Sequence, residues 1–226
     1  MSFRPEELLA CAIGRLVGDA RHVAVGAASP IPASACFLLQ AKGQPIRVSL
    51  LQKRKGNPFT EGSRELFDLA GQGRIDVFFL GGAQIDGAAN INLVQAEGRR
   101  FPGSFGSAYM YSAAKRVILC REEHSQRVLV PKVDFVSAAG TPAALLTGKA
   151  LFGWDRQKKR FVLESFHPGE SVDSIRQATG FDFDVSSAVA PTPGPSDEAL
   201  ALLRGRVGAK IALDYPDFAR KVWGIN

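Results

Sequence analysis

Two adjacent glycines, Gly81 and Gly82, close a short apolar run, Ile75–Leu80, and are followed by Ala83 and a polar set, Gln84, Asp86, Asn90 and Asn92. Glycine has no Cβ, so a backbone can approach a ligand closely there. N–H groups fixed in such a turn can stabilise negative charge developing on a carbonyl oxygen. The preceding run, interrupted only by Asp76, reads as a buried strand of a parallel sheet. Ligands of open α/β sheets sit beyond the carboxyl ends of such strands. Spacing alone favours a plainer reading, a tight turn after a core strand.

Other chemistries lack their residues. His22, His124 and His167 share no metal-ligand spacing with each other or with a cysteine, so no metal site is expected and they read as structural or surface histidines. Gly103-Ser104-Phe105-Gly106 is not a nucleophile elbow, no Walker lysine follows a glycine cluster, and no dinucleotide-binding glycine pattern occurs. Asp182 and Asp184 alternate with Phe181 and Phe183, as in a half-buried strand. Cys11, Cys36 and Cys120 are far apart and sit in or beside apolar runs, which suits buried reduced thiols.

The elements that must position these residues alternate early. Pro5 to Val17 has helical spacing, with Glu6 and Glu7 near its positive end and Gly18 to close it. A strand at His22–Val25 ends at Gly26, and Ser29-Pro30 breaks the backbone before a helix over 32–40. A strand follows over 46–51, then a helix over 64–72 capped by Ser63. Further on, strands are expected at 116–119 and 133–136. A hairpin is expected at 150–154 and 160–165 with a bulge at Gly153, and a helix over 171–179 with Gly180 after it. Residues 190–195 read as a linker before a helix over 197–203. Alternation of this kind predicts an α/β fold: an open, mostly parallel sheet with helices on both faces. One domain over 1–226 is expected, with 190–226 as a linker and helical tail.

With 46% apolar and 22% charged residues, the composition is that of an ordinary globular protein. The net charge of +6 comes without long single-sign blocks, and the phenylalanines lie in apolar runs rather than among basic residues, so nucleic acid is not an expected partner. No leader and no run of eighteen apolar residues is present, so a cytoplasmic protein that does not enter a membrane is expected.

Several separated motifs, in order along the chain, resemble the B chain of family I CoA-transferases, glutaconate CoA-transferase in particular. The first is Gly73–Asp86 with Asn90-Ile91-Asn92. Phe101-Pro102-Gly103-Ser104, with Gly106 and Ala108, is similar to the family's Pro-Gly-Ser-Gly-Gly-Ala loop. Lys132–Ser137 resembles its Lys-Val-Asp-Phe strand, and His167-Pro168-Gly169 and Thr179–Asp182 resemble its C-terminal motifs. The likeness covers residues 60–190. It implies a hetero-oligomer with an A-type partner of related fold and an acyl-CoA substrate, coenzyme A entering as part of that substrate. It further implies an oxyanion site at Gly81, Gly82 and Ala83, and an acyl-CoA pocket at Gly26, Gln84, Asn90, Asn92, Gly103, Ser104 and Gly106.

In the family's transferases a B-chain glutamate attacks the thioester, in a Glu-Ser-Gly or Glu-Asn-Gly motif ending the strand before this region. This chain has Val48-Ser-Leu-Leu-Gln52-Lys-Arg-Lys-Gly56 there, in a shorter loop, and no acid. Gln52 is nearest in shape, but an amide is neither a nucleophile nor able to form an anhydride. Gly87-Ala88-Ala89 also replaces the family's Arg-x-Gly turn. Three readings follow: one half of a ring-opening acyl-CoA hydrolase with its acid or base on the A chain, as in steroid catabolism; a transferase using another acid; or a pseudo-subunit without chemistry. Lys53-Arg54-Lys55 beside the pocket reads as a solvated loop or as a contact for CoA phosphates.

Overall fold

The computed structural model describes residues 2–53, 56, 57, 59 and 61–225. Arg54 and Lys55 lie outside the described residues. In chain order the elements begin with α1 (Pro5–Val17), β1 (His22–Val25), α2 (Pro30–Ala41), β2 (Arg47–Leu50), α3 (Ser63–Gly71) and β3 (Val77–Leu80). Then come β4 (Gln84–Asp86), β5 (Ile91–Asn92), β6 (Gln95–Ala96), β7 (Arg99–Arg100), α4 (Ser107–Ala113), β8 (Arg116–Arg121) and β9 (Leu129–Val130). The chain continues through β10 (Ala144–Thr147), β11 (Ala150–Asp155), β12 (Arg160–Phe166), α5 (Val172–Ala178) and β13 (Asp184–Pro191). It closes with α6 (Asp197–Leu202), a π-helical turn (Leu203–Val207), α7 (Gly208–Ala212) and α8 (Pro216–Trp223).

The main sheet has eight strands in the order β13-β12-β11-β10-β8-β3-β1-β2. Five of its seven pairings are parallel, the exceptions being β10–β11 and β11–β12. The fold is therefore the expected open, mostly parallel α/β sheet. Alternate residues of each central strand face opposite layers. Val23, Val25, Val77 and Phe79 pack under α1, α2 and the C-terminal helices. Ala24, Phe78, Leu80 and Leu119 pack under α3, α4 and α5. After β2 the chain returns to the other side of β1 to lay down β3. That reversal opens a crevice beyond the carboxyl ends of β1 and β3, between Gly26 and Gly81.

Local chemistry explains the element boundaries. Pro5 opens α1 where no N–H is required, the Glu7 carboxylate accepts the Arg4 N–H at 2.8 Å, and Gly18 at φ +57° ends the helix. The helix expected from 32 begins at Pro30, because proline at a first helical position continues a helix rather than breaking it. Ser63 is the first helical residue of α3, and Gly62 at φ +67° holds the cap position. Asp76 precedes β3 and accepts the N–H groups of Arg21 and His22 at 2.9 Å each and Lys115 Nζ at 2.8 Å. This polar interruption of an apolar run thus fastens the start of β1.

Four expectations are corrected. Residues 133–136 are not a strand: the Val133 and Asp134 N–H groups are taken by the Asp86 carboxylate (3.4 Å) and Gln84 Oε1 (3.0 Å), and Phe135 and Val136 are exposed. The irregularity in the β11–β12 hairpin falls between Leu151 and Phe152 rather than at Gly153. Gly153 instead leaves room for the Glu164 carboxylate, which a Cβ would strike. Phe181 and Phe183 are buried, but the strand begins only at Asp184. Residues 190 and 191 belong to β13, and Thr192 beyond them donates its N–H to the Phe166 carbonyl at 2.7 Å, so the proline-rich stretch is tied to the sheet.

The C-terminal helices complete the layer over α1 and α2, burying Leu200, Leu203, Val207 and Ile211. All three histidines are buried and hydrogen-bonded. His124 lies between the hydroxyls of Thr147 (2.7 Å) and Thr179 (2.9 Å), and burial pushes its pKa down to about 4.

Candidate active site

Gly26 follows β1, Leu51 follows β2, Gly81 follows β3 and Arg121 ends β8. These four positions share one wall of a cavity of about 1040 Å³. Residues of α3, of α4 and of the loop through Gly103 and Gly106 line the same cavity. Most of the lining is apolar, with Phe59, Leu66, Phe67, Phe78 and Met110 among its side chains.

The glycine turn is shaped by its own backbone. A Cβ on Gly82 would stand 2.7 Å from the Gln84 carbonyl oxygen, and one on Gly81 would stand 3.0 Å from the Cys120 carbonyl oxygen. The Ala83 N–H donates to the Asn92 carbonyl at 2.8 Å and is already committed. The Gly82 N–H has no partner among the described residues, although Gly82 is buried and lines the cavity. Of the three residues expected to hold an oxyanion, Gly82 therefore offers an open donor and Ala83 does not.

The remaining candidates divide. Gly26, Gly103 and Gly106 line the cavity. Gly106 packs so closely on the Phe67 ring that a side chain there would collide with it, and Gly103 sits at φ +112°. Gln84, Asn90, Asn92 and Ser104 are not in the wall. Asn92 donates to Gln84 Oε1 at 2.8 Å and to the Gln95 carbonyl, and its own Oδ1 accepts the Val94 N–H at 3.1 Å. Asn90 donates to Asp86 Oδ2 at 3.0 Å. These amides hold the loop behind the glycine turn. Asn92→Ala is accordingly expected to cost about 1–3 kcal/mol, because it strands buried partners; chemical denaturation measures this, and unchanged stability would contradict the scaffold role.

The turn at 87–89 also has a packing reason. A Cβ on Gly87 would stand 3.0 Å from the Phe181 Cβ, so a side chain there requires Phe181 to give way by a few tenths of an ångström. Ala89 takes φ +61°, and the Asp86 carboxylate holds the turn through the N–H groups of Ala88 and Asn90 at 3.0 Å each.

At the end of β2, Leu51, Asn57 and Phe59 face the cavity. Gln52 does not; its Oε1 lies 3.5 Å from the Ala28 N–H. No aspartate or glutamate occurs between Asp19 and Glu61. Among the described residues, Glu97 and Glu122 are the carboxylates in the wall, and Glu97 is 3.7 Å from Arg127. Cys120 also lines the cavity, but burial pushes its thiol up to about 12, leaving it protonated at neutral pH. No cluster of three or more metal-ligating side chains occurs among the described residues.

Sequence reasoning did not find Arg121, Phe67 or Phe59. None lies in a motif, and only the strand order brings β8 and α3 to the crevice.

A family model described as coenzyme A transferase matches residues 38–178. The B chain of 3-oxoadipate CoA-transferase from Pseudomonas knackmussii is 29% identical over 161 residues, 61% of this chain and 62% of that protein. The B chain of glutaconate CoA-transferase from Acidaminococcus fermentans is 30% identical over 142 residues, 52% of this chain and 53% of that protein. The matches thus span less than two thirds of the length of both curated relatives. In three dimensions the chain is similar to a chain of the decarboxylase AibA/AibB, with a TM-score of 0.80 and 25% identity over 99% of this chain and all of that one. Among the described residues no helix is long and apolar enough to cross a membrane. The chain belongs to the coenzyme A transferase family and is similar to its B-type members.

Proposed function

We propose that the chain works as a single B-type domain of a two-chain enzyme that acts on an acyl-CoA thioester without a glutamyl intermediate. The observation that carries this is the end of β2, where Leu51, Asn57 and Phe59 face the cavity and the sequence has no acid from 20 to 60. The Gly82 N–H supports the same reading from the other side, as a donor for the thioester oxygen. Charge accumulates on that oxygen when water attacks the carbonyl, and also when a bond β to the carbonyl breaks to leave an enolate. One donor can therefore serve hydrolysis, ring opening or decarboxylation alike. Transfer through an acyl-enzyme needs a nucleophile in addition, and Gln52 does not supply one. The likeness to AibA/AibB, named a decarboxylase, supports chemistry other than transfer on this fold. An A-type partner is proposed from the names of the relatives, each of which is the B subunit of a CoA-transferase.

The test is an isotope experiment on the chain together with its A-type partner. A panel of acyl-CoAs is incubated with labelled acetate or succinate, and products are separated by mass. Free CoA, a ring-opened acid or carbon dioxide without label in any thioester is the expected result. Label in a new CoA thioester would overturn the proposal. A stable complex with no turnover on the panel would favour a non-catalytic role.

A further inference from the structure

Phe105 stands where the backbone would suit a glycine. Its φ is +47°, in the left-handed region that a bulky side chain seldom adopts. Its ring is 78% exposed, although it packs on Phe67 with the ring centroids 6.0 Å apart. Phe67 is itself held by Tyr109, whose ring meets it edge-on at 5.4 Å. Backbone strain and an aromatic ring in water both work against folding, and such costs persist where a site uses them. Phe105 lines the cavity, as do Phe101, which is 36% exposed, and Leu51, Phe67 and Leu93, which are half-buried. These five side chains offer a ligand open apolar surface. The charged side chains of the lining are paired or turned to solvent. Arg121 and Arg127 lie 3.4 and 2.9 Å from Glu123, Arg127 is also 3.7 Å from Glu97, and Arg99 and Glu122 are exposed.

We propose that the cavity takes an acyl group whose far end is a hydrocarbon of several carbons, and that Phe105 sets this preference by carrying the apolar wall out to the rim. This rests on the acyl-CoA reading above. Gly82 lines the same cavity, so a thioester oxygen held there starts its acyl chain inside the apolar lining. Each methylene moved from water onto such a wall tightens binding by about fourfold. A cavity of about 1040 Å³ is at the upper end for small-molecule sites and has room for a chain well beyond an acetyl group. A ring at the rim closes that chain off from water. Glycine could not do this, which gives the strain at Phe105 a use.

Titration calorimetry on the full chain, together with any partner that co-purifies, tests this with free CoA, butyryl-CoA and octanoyl-CoA. Octanoyl-CoA is the longer by four methylenes and is expected to bind at least about a hundredfold more tightly than butyryl-CoA. Phe105→Gly suits the left-handed backbone and should fold. It should weaken octanoyl-CoA by about tenfold and butyryl-CoA by less. Phe105→Asn, which also tolerates that region, carries the test if the glycine variant is unstable. Equal affinities for butyryl-CoA and octanoyl-CoA in the unmodified protein would overturn the proposal. A chain-length preference that both variants keep in full would overturn the assignment to Phe105. An equal loss for free CoA would also overturn it, by placing the ring against the CoA moiety. Loss of a co-purifying partner would do the same, by placing the ring in the subunit interface. Binding of all three with no chain-length preference removes the hydrocarbon alone. No binding of any of the three removes the acyl-CoA reading as well.

Discussion

Gly82→Ala is expected to lower acyl-CoA turnover by about 10²–10³-fold, the usual effect of losing one oxyanion donor. The new Cβ would stand 2.7 Å from the Gln84 carbonyl oxygen, which is backbone and cannot swing aside. The turn must shift, and the Gly82 N–H shifts with it. Negative charge grows on the thioester oxygen mainly in the transition state, so the loss should fall on kcat, with the affinity for unreacted acyl-CoA changing little. Steady-state kinetics and a melting curve on the same preparation separate this from unfolding. A folded variant with near-normal kcat would remove the oxyanion role. A variant that loses affinity and kcat together would point to a collapsed cavity instead.

Glu7→Ala is expected to destabilise the fold by roughly 3 kcal/mol, lowering the melting temperature by about 6–12 °C. The Glu7 carboxylate is fully buried and accepts Arg204 Nε at 2.7 Å, Arg204 Nη2 at 2.8 Å, the Arg4 N–H at 2.8 Å and Trp223 Nε1 at 3.3 Å. It thereby ties the first helix to the π-helical turn and to α8. Burial alone would raise its pKa, but the hydrogen bonds from Arg204 and the Arg4 backbone, together with the Arg204 charge, outweigh that and hold it below the usual glutamate range. A depressed folded-state pKa contributes stability above the unfolded value, and that contribution is lost as pH falls through the folded one. Glu7→Gln should therefore flatten the acid limb of the stability curve. Denaturant titrations across the acid range measure this, and an acid limb as steep as that of the unmodified protein would exclude Glu7 as its source.

Much of the frame was legible because its causes are local. The apolar spacing of residues 5–17, with Pro5 before it and Gly18 after it, specifies α1 without reference to anything distant. His22–Val25 is likewise bounded as its own composition predicts. Errors fell where side chains or partners far along the chain decide the backbone. Residues 133–136 have strand-like residues, but Gln84 and Asp86 take the first two of their N–H groups. Ser29-Pro30 resembles a break until the helix it opens is seen. Gln84, Asn90 and Asn92 resemble ligand-binding amides in a list of polar residues, yet Asn92 bonds Gln84, Gln84 bonds Asp134, and Asn90 bonds Asp86.

The sequence by itself determined the family, the mostly parallel sheet and the acid-free segment before Glu61, since motif order, periodicity and residue identity need no coordinates. It also marked Gly81 and Gly82 as a turn after a core strand. Only the tertiary structure decided that Gly82 keeps an open N–H while Ala83 is committed, because Asn92, on the neighbouring strand β5, supplies the competing carbonyl.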